Sequence, residues 1–443
     1  MQASQPPYPS FTEALRFWLK LGFISFGGPA GQVAIMHAYL VEKKKWISEK
    51  RFMHALNYCM LLPGPEAQQL ATYTGWLLHG TKGGIAAGVL FFLPSAFILW
   101  ILSFLYVTFG HNPIVNSIFD FLKPAVVAIV VMAVYKIGKK SLHTSWHYFL
   151  AVGAFVAIYF YKIPFPIILI VAAILGALML YFFKEKFSTA ATQNTLADHE
   201  DGYVIRENSI IPGSGFSMRR LIVQFLTGAI LWCIPFAILF ILFKEDFTFW
   251  HKLIFFFTKA AVVTVGGAYA VLPYVAQISV ETFGWLSRLE MIDGLALGET
   301  TPGPLIMVLA FVGFMAGYNM FGGSILAATL GLVITTYYTF LPSFIFIFTG
   351  VPIIERTHSN TYMTSLFGFI TAAVTGIVLN LAVYFGLAVI LPEPSQILWI
   401  PLAWVVISFF VLHRLKVNMI LWLGISVVAG IFKYLITLQS TPF

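Results

Sequence analysis

Residues 221–243, LIVQFLTGAILWCIPFAILFILF, form an unbroken run without a charged side chain. As a helix this run would rise about 34 Å, enough to cross the roughly 30 Å hydrocarbon core of a bilayer. Comparable apolar runs recur along the 443 residues, of which only 10% are charged, far fewer than in soluble domains. Because lipid offers backbone groups no hydrogen-bond partner, such runs must be helical. The sequence predicts an all-α polytopic membrane protein.

Two of the apolar segments contain glycine pairs that disfavour a continuous helix. Residues 25–32 read SFGGPAGQ and residues 264–269 read TVGGAY, and both stretches lie inside otherwise apolar sequence. Glycine and proline weaken or break a helix interior, and broken backbone in hydrocarbon needs cover from protein or water. We therefore expect an interrupted helix at each stretch.

The two stretches belong to an internal repeat with a constant offset of 239 positions. The residues that keep this offset without a gap are Lys20 and Lys259, Ser25 and Thr264, Gly27-Gly28 and Gly266-Gly267, Trp46-Ile47-Ser48 and Trp285-Leu286-Ser287, and Pro63-Gly64-Pro65 and Pro302-Gly303-Pro304. A further match, Leu93-Pro94-Ser95 with Leu341-Pro342-Ser343, follows a small insertion. The chain divides into an N-terminal repeat at 1–183, a polar linker at 184–220 that we expect to be cytoplasmic, a connecting transmembrane helix at 221–243 and a C-terminal repeat at 244–443.

The distribution of basic residues indicates that the second repeat is inverted relative to the first. Lysine and arginine number 18 up to residue 220 and 8 after it. The loop after the first glycine pair carries lysines at 43–45 and further basic residues at 50 and 51, whereas the equivalent loop carries only Arg288. Basic loops remain cytoplasmic, so the two loops should lie on opposite faces. This orientation predicts a cytoplasmic (inner or plasma) membrane protein with a cytoplasmic N-terminus and an external C-terminus.

Two counts of membrane spans fit the hydrophobic segments. If every segment spans, the chain crosses about 13 times and one basic cluster lies outside. If the segments around the glycine pairs and the Pro-Gly-Pro sequences re-enter as hairpins or half-helices, every basic cluster is cytoplasmic. The full spans are then 84–109, 114–138, 145–161, 164–183, 221–243, 322–349, 362–391, 396–412 and 417–437. We prefer this second count, with the broken helices of two inverted repeats meeting near the membrane midplane.

Inverted repeats with interrupted helices at matching positions are typical of secondary transporters. A helix start presents free N–H groups and about half a positive charge, so it attracts anions. Pro29 and Pro65 stand where a new helix could begin, because proline suits the first helical turn. Four such starts favour a divalent oxyanion as the ligand. The alternative is that these glycines and prolines only permit kinks or close helix contacts.

Several polar side chains near the glycine pairs are candidates to bind such an anion. Lys20 and Lys259 lie about two helical turns before the pairs, and a lysine inside apolar sequence is a candidate functional group. The alternative for both is that the side chain extends to the membrane surface. Ser25, Thr264 and Gln68 offer hydrogen-bond donors, with bonding back to their own helix as the alternative for the two hydroxyls.

Two carboxylates are candidates for proton coupling. Glu66 directly follows the first Pro-Gly-Pro, and Glu299 lies three residues before the second, so they are not repeat-equivalent. Acidic residues inside a membrane commonly relay protons. The alternative for Glu66 is a carboxylate that caps a helix start. Trp46 and Trp285 are expected to anchor the chain at the membrane interface.

The half-repeat F-x-x-x-L-G-x-x-S-F-G-G-P, followed by a tryptophan and L-P-G-P, resembles the chromate transporter (CHR) family, and the resemblance covers both halves. It implies a long-chain, two-domain member that transports chromate, usually outward, and confers chromate resistance, with sulfate as a competing ion. The positions that carry the family pattern are Gly27, Gly28, Pro29, Pro63, Gly64, Pro65, Gly266, Gly267, Pro302, Gly303 and Pro304. The second repeat departs at Ala268, where the first has Pro29, which makes an asymmetric site plausible.

Residues alone do not distinguish chromate from sulfate or another oxyanion, and an anion channel would show similar helix breaks. A membrane-embedded enzyme is the weakest alternative, because the sequence contains no recognisable catalytic or nucleotide-binding motif. We expect no cofactor, metal or nucleic acid. The expected partners are the oxyanion, the lipid bilayer and protons, and a homodimer is left open.

Overall fold

The computed structural model describes residues 7–26, 28–110, 112–182, 202–207, 209, 215, 217–264, 267–354, 361–393 and 396–440. The side chains of 352–354, 361–365 and 440 lie outside this description. Throughout these ranges the chain is α-helical apart from loops and two isolated backbone bridges. The predicted all-α fold class is confirmed. Most of the predicted linker at 184–220 lies outside the described residues.

The first part of the chain contains α1 (Phe11–Ile24), α2 (Gly28–His37), α3 (Glu49–Leu61), α4 (Glu66–Phe109), α5 (Pro113–Ser141), α6 (Ser145–Tyr159) and α7 (Phe165–Phe182). After α8 (Met218–Leu242), the second part contains α9 (Phe247–Val263), α10 (Ala268–Gln277), α11 (Arg288–Thr300), α12 (Val308–Met320), α13 (Ile325–Ile354), α14 (Thr361–Ile390), α15 (Trp399–His413) and α16 (Met419–Ser440). Short π-helical turns occupy Ala38–Lys43 and Ile278–Thr282, and a 3-10 turn occupies Leu305–Met307.

The order and length of the helices recur between the two parts. Helices α2 and α10 each contain 10 residues and lead into a π-helical turn. Helices α3 and α11 each contain 13 residues and begin 239 positions apart. Helix α4 bends where His79 and Gly80 leave the helical conformation, and a corresponding interruption separates α12 from α13. Helix α8 is the one helix of the described chain outside this correspondence, and it begins slightly before the predicted residue 221.

Equivalent serines begin α3 and α11 in the same way. The Ser48 hydroxyl accepts a hydrogen bond from Arg51 N–H, and the Ser287 hydroxyl accepts one from Glu290 N–H. The Glu290 carboxylate in turn accepts a bond from Ser287 N–H at 2.6 Å, which completes a capping box. Such caps satisfy N–H groups that the first helical turn leaves free. The Trp-x-Ser signature of the repeat therefore fixes where these two helices begin.

The segment 17–40 folds back on itself as two short helices. The Lys44 ammonium lies 2.8 Å from the Glu13 carboxylate, and the rings of Phe17 and Tyr39 stack with centroids 3.9 Å apart. The hydrogen bond to Glu13 raises the pKa of Lys44. The first half of α1 therefore lies beside the chain that follows α2, as a hairpin requires. Placing this hairpin in a bilayer, and its inversion in the second repeat, remain predictions.

Seven helices of the described chain are long and apolar enough to cross a membrane. Two of the nine predicted full spans, 145–161 and 396–412, instead form α6 and α15, which contain 15 residues each. At 1.5 Å per residue each helix rises about 22 Å, less than the roughly 30 Å hydrocarbon core. The apolar runs were longer than the helices because apolar residues of the adjoining loops, such as Phe160 and Ile397, extend them.

Helices of the two parts interleave in the core. Helix α5 contacts α14, α15 and α16, and α14 contacts α5, α6 and α7, so each contact has a counterpart when the parts are exchanged. The largest cluster of buried apolar side chains draws on both parts. Trp46 and Trp285 are each 2% exposed and pack against Phe17 and Phe256, respectively. The prediction that these tryptophans anchor at the membrane interface is wrong, because neighbouring parts of the protein bury both rings.

Candidate functional site

A helical segment begins at each of the four interruptions of the repeat. Helix α2 begins at Gly28, α4 at Glu66, α10 at Ala268, and the 3-10 turn before α12 at Leu305. The glycines at these starts have φ values in the left-handed region, at +72° for Gly28, +128° for Gly64, +95° for Gly267 and +102° for Gly303. Residues with a Cβ atom adopt that region only at a cost. Gly27 and Gly266 lie outside the described residues.

The four interruptions meet through two reciprocal hydrogen bonds. Gly64 N–H donates to Thr264 O at 2.7 Å, and Gly303 N–H donates to Ser25 O at the same distance. Each bond becomes the other when the 239-residue offset is applied, since Gly64 corresponds to Gly303 and Ser25 to Thr264. Each Pro-Gly-Pro turn therefore rests on the glycine interruption of the opposite repeat. The structure brings together segments that are 200 or more residues apart.

Buried serines from the Leu-Pro-Ser matches complete each contact. Ser343 of α13 lies beside Gly64, and Ser95 of α4 lies beside Gly303. A Cβ atom added to Gly303 would come 2.7 Å from the Ser95 Cβ, and one added to Gly64 would come 2.7 Å from Gln69 Nε2. The sequence had shown these serines only as a sign of the repeat. Their position reveals why each Pro-Gly-Pro turn needs glycine.

Gly28, in contrast, borders open space, and among the described atoms the Cβ position of Gly267 meets only Glu66 Oε1, at 3.8 Å. No described atom lies within 4 Å of the position that a Cβ on Gly28 would take. Gly28 lines a small cavity of about 10 Å³ together with Glu299, Thr301 and Gly303. A cavity of that size holds about one water molecule. The N-terminal end of α2 therefore faces a polar opening between the two repeats.

Each candidate carboxylate stands beside a helix start of the other repeat. Glu299 is buried, borders the cavity at Gly28, and accepts a hydrogen bond from the Tyr269 hydroxyl at 2.7 Å. Glu66 is the first residue of α4 and lies next to Gly267, at the start of α10. The two carboxylates thus occupy corresponding surroundings although they are not equivalent in sequence.

Two exposed lysines of α5 act on these carboxylates through electrostatic attraction. Lys136 interacts electrostatically with Glu299, and Lys140, one helical turn further on, interacts with Glu66. In the sequence, the lysines at 136, 139 and 140 served only as one of the basic clusters that indicate topology. Lys20 and Lys259 are exposed as well, on α1 and α9, alongside exposed apolar side chains. Among the described residues, no hydrogen bond or ion pair ties Lys20 or Lys259 to the interruptions, and extension to the membrane surface remains the alternative for both.

The predicted hydroxyl and amide donors are buried but differ in their bonding. Thr264 donates to Ala260 O at 2.6 Å within its own helix, whereas the Ser25 hydroxyl has no partner among the described residues. Gln68 donates to the Thr72 hydroxyl at 3.0 Å. Gln32, which sequence analysis missed, donates to Gly303 O at 2.6 Å and ties α2 to the opposite turn.

The prolines of the interruptions lie at or next to the helix starts. Pro29 is the second residue of α2, and Pro65 and Pro304 directly precede the helical turns at 66 and 305. Pro63 O accepts a hydrogen bond from the Gln69 side chain at 2.7 Å, and Pro302 is buried. All described members of the two Pro-Gly-Pro sequences thus belong to the meeting point of the repeats.

A second buried charged group lies on α11 before Glu299. The Asp293 carboxylate lies 3.4 Å from the Lys123 ammonium and accepts a hydrogen bond from the Tyr106 hydroxyl at 2.9 Å. These contacts join α11 to α5 and α4. Asp293 corresponds to His54 in the first repeat, so this ion pair has no matching carboxylate there. The two halves differ in charge even where their backbones correspond.

These features define a class of protein: a polytopic α-helical membrane protein whose two matched halves join at interrupted helices. The chain belongs to the chromate transporter family, whose family model matches residues 12–177 and 251–431. The two matched parts begin 239 positions apart, which is the offset of the repeat.

Named relatives cover most of the chain. It is 28% identical over 376 residues to the chromate transport protein of Pseudomonas aeruginosa, covering 84% of this chain and 80% of that protein. It is 25% identical over 415 residues to the chromate transport protein of Cupriavidus metallidurans, covering 90% and 91%. An uncharacterised transporter of Methanocaldococcus jannaschii is 27% identical over 425 residues, covering 95% and 94%. No solved structure matches the chain significantly.

Proposed function

We propose that this protein is a secondary transporter that exports chromate across the cytoplasmic membrane and thereby confers chromate resistance. The observation that carries the proposal is the reciprocal pair of hydrogen bonds that joins four glycine-flanked helix starts inside the protein. Membership of the chromate transporter family supports the choice of substrate, as do two relatives named chromate transport proteins.

Backbone N–H groups at the four helix starts would replace the water around the oxyanion. Each start carries about half a positive charge, so four of them offset at most the two negative charges of chromate. Lys136 and Lys140 of α5 add positive charge on the side where Glu299 and Glu66 stand. In this scheme they replace Lys20 and Lys259 as the cations of the site.

The two carboxylates provide a route to proton coupling. Glu299 and Glu66 already stand beside the helix starts that would receive the oxyanion, and like charges repel strongly in a site of low dielectric. Protonation of either carboxylate removes this repulsion, so proton binding and oxyanion binding strengthen each other. The ionisable groups around Glu299 are Tyr269 and Lys136, and those around Glu66 are Cys59 and Lys140.

The described conformation is closed around the site. The cavity beside Gly28 has room for about one water, so the hairpins must separate to admit a tetrahedral ion. Opening first on one side and then on the other would give alternating access. Outward movement of a dianion is favoured by an inside-negative potential, at about 2.3 kcal/mol per charge per 100 mV.

The test is chromate uptake into everted membrane vesicles, with and without a proton gradient and a membrane potential. Gly28→Leu would fill the open space at the start of α2 and should abolish uptake while the protein remains in the membrane. Gly284→Leu is a matched control, because Gly284 also has a left-handed φ, at +60°, and also borders open space. A Gly28→Leu protein that is well expressed and transports as the wild type does would show that the interruptions serve helix contact alone.

The same vesicles distinguish the alternative functions. A carrier saturates with chromate and exchanges labelled for unlabelled ion across the membrane, whereas a channel shows conductance without such exchange. Sulfate that inhibits uptake and is itself accumulated would identify a broader oxyanion transporter. Uptake that responds to the imposed potential but not to the proton gradient would remove the coupling role from Glu66 and Glu299.

A further inference from the structure

A second polar cavity lies away from the four interruptions. It has a volume of about 320 Å³ and is bounded by α6, α10, the start of α11 and α14. Gln277, which lines it, lies ten residues beyond Gly267 along α10, which corresponds to about 15 Å of helix rise. The cavity therefore opens near one end of the helix whose other end borders the central site.

The charged side chains of this cavity leave a net positive charge. Arg288 pairs with Glu281 at 3.2 Å, and its guanidinium lies 4.6 Å from the centre of the Tyr384 ring. Lys162 also lines the cavity, and among the described residues no acidic group pairs with it. One carboxylate thus faces two cations. An anion entering the cavity would meet Lys162 as the uncompensated charge.

Neutral donors surround the same space. Gln277 and Asn380 line the cavity from α10 and α14, and neither side-chain amide has a hydrogen-bond partner among the described residues. The Tyr384 hydroxyl also lacks a described partner that meets ordinary hydrogen-bond geometry. A cationic group with converging amide and hydroxyl donors is the donor set that suits a small oxyanion.

We propose that this cavity is a second binding site for a tetrahedral oxyanion group, held by Lys162, Gln277 and Asn380. Its volume accommodates such a group with part of its hydration, since a water occupies about 30 Å³ in the liquid. The occupant is either the free oxyanion or the phosphate of a lipid headgroup. Identifying the occupant with the transported ion rests on the proposed function. In that case the cavity binds chromate at a second position, outside the central site.

The test measures binding of radiolabelled sulfate to the purified full-length protein at low ionic strength. The background is Gly28→Leu with Gly267→Leu, which should remove the central site. In that background Lys162→Gln should weaken the remaining binding about fivefold, as expected for one partly screened charge, and Asn380→Asp should weaken it further. Lys416→Gln is the matched control, because Lys416 follows α15 as Lys162 follows α6 and has a similar φ, 51° against 53°.

Native mass spectrometry of the same proteins distinguishes the two sources. One retained phospholipid that is lost in Lys162→Gln but kept in Lys416→Gln would identify a lipid phosphate as the occupant. If Lys162→Gln and Asn380→Asp change neither sulfate nor phospholipid binding, the cavity is not an oxyanion site. The proposal of the central site is tested separately. If that proposal is wrong, transport and sulfate binding will be unchanged in the Gly28→Leu and Gly267→Leu background.

Discussion

Glycine serves two different purposes at the four helix starts. At Gly64 and Gly303 neighbouring side chains leave no room for a Cβ atom, so these glycines allow two repeats to touch. At Gly28 no described atom lies within 4 Å of the Cβ position, and at Gly267 only Glu66 Oε1 does, at 3.8 Å, so neither position is crowded and the backbone N–H groups stay accessible. The first pair therefore matters for stability and the second pair for access to the proposed site.

This division predicts that alanine lowers stability more at Gly64 and Gly303 than at Gly28. Gly64→Ala and Gly303→Ala should lower the melting temperature of the detergent-purified protein, because a clash adds to about 1–2 kcal/mol of left-handed backbone strain. Gly28→Ala should behave like Gly284→Ala, which carries the strain without a clash. Fluorescence-detected thermal unfolding provides the measurement. Equal melting temperatures for all four variants would contradict the distinction.

A second residue-scale prediction concerns the buried carboxylate on α11. Glu299→Gln mimics the protonated acid, so sulfate binding at pH 8 should become at least about tenfold tighter, the effect in water of a unit charge about 6 Å from a dianion. Binding should also lose much of its pH dependence. Glu245→Gln, at an exposed loop position, is the control. An unchanged pH profile in Glu299→Gln would exclude this carboxylate from coupling.

At the scale of helices, the short elements are as informative as the long ones. Helices α1, α2 and α3 and their counterparts α9, α10 and α11 contain 10 to 17 residues and are too short to cross a bilayer singly. They expose helix ends within the protein instead of at its surface. Helix α5, which contains 29 residues, contacts α11 and carries Lys136 and Lys140.

The position of α5 predicts which lysines matter for affinity. Lys136→Gln and Lys140→Gln should each raise the apparent KM for chromate severalfold, because each removes a charge near the helix starts. Lys139→Gln is the matched control on the same helix, and Lys20→Gln and Lys259→Gln should have little effect. Initial rates of uptake into vesicles give the values. If only Lys20→Gln and Lys259→Gln raise the KM, the sequence-based assignment of the cations is the correct one.

At the scale of the whole molecule, exchange of the two halves reproduces the main contacts. The α5 and α14 helices each contact the last helices of the opposite part, and the two Pro-Gly-Pro turns bind reciprocally. Residues 204–205 of the linker also pair with the backbone of residues 45–48, so linker and loop occupy the same face. If the two halves are inverted in the membrane, this exchange symmetry predicts access routes of similar structure on its two sides.

The inverted arrangement predicts the sidedness of two equivalent loops. In a background without Cys59 and Cys233, cysteines at Lys44 and Thr282 should react with an impermeant reagent from opposite faces of intact cells. Cysteines at Glu13 and Lys43 should react from the same face, because the Glu13–Lys44 contact closes the first hairpin. Labelling of Lys44 and Thr282 from one face would contradict inversion, and labelling of Glu13 and Lys43 from opposite faces would restore the thirteen-span topology.

The sequence by itself determined the membrane class, the 239-residue repeat and the places where helices are interrupted. These features are local, since hydrophobic length, glycine and proline act on the backbone where they occur. The family resemblance drawn from the same motifs is confirmed by the match over both halves. Helix ends were less predictable, as α6 and α15 show, because apolar residues also occur in loops.

Only the tertiary structure decided which segments meet at the interruptions. Lys20 and Lys136 both lie in apolar sequence, and helical spacing cannot tell which of them influences a carboxylate of the opposite repeat. That choice depends on contacts between segments more than 100 residues apart, such as those of α5 with α14 and of Gly303 with Ser25. The pairing of Glu299 with Gly28 and of Glu66 with Gly267 arises in the same way, because it follows from how the two halves interlock and not from either half alone.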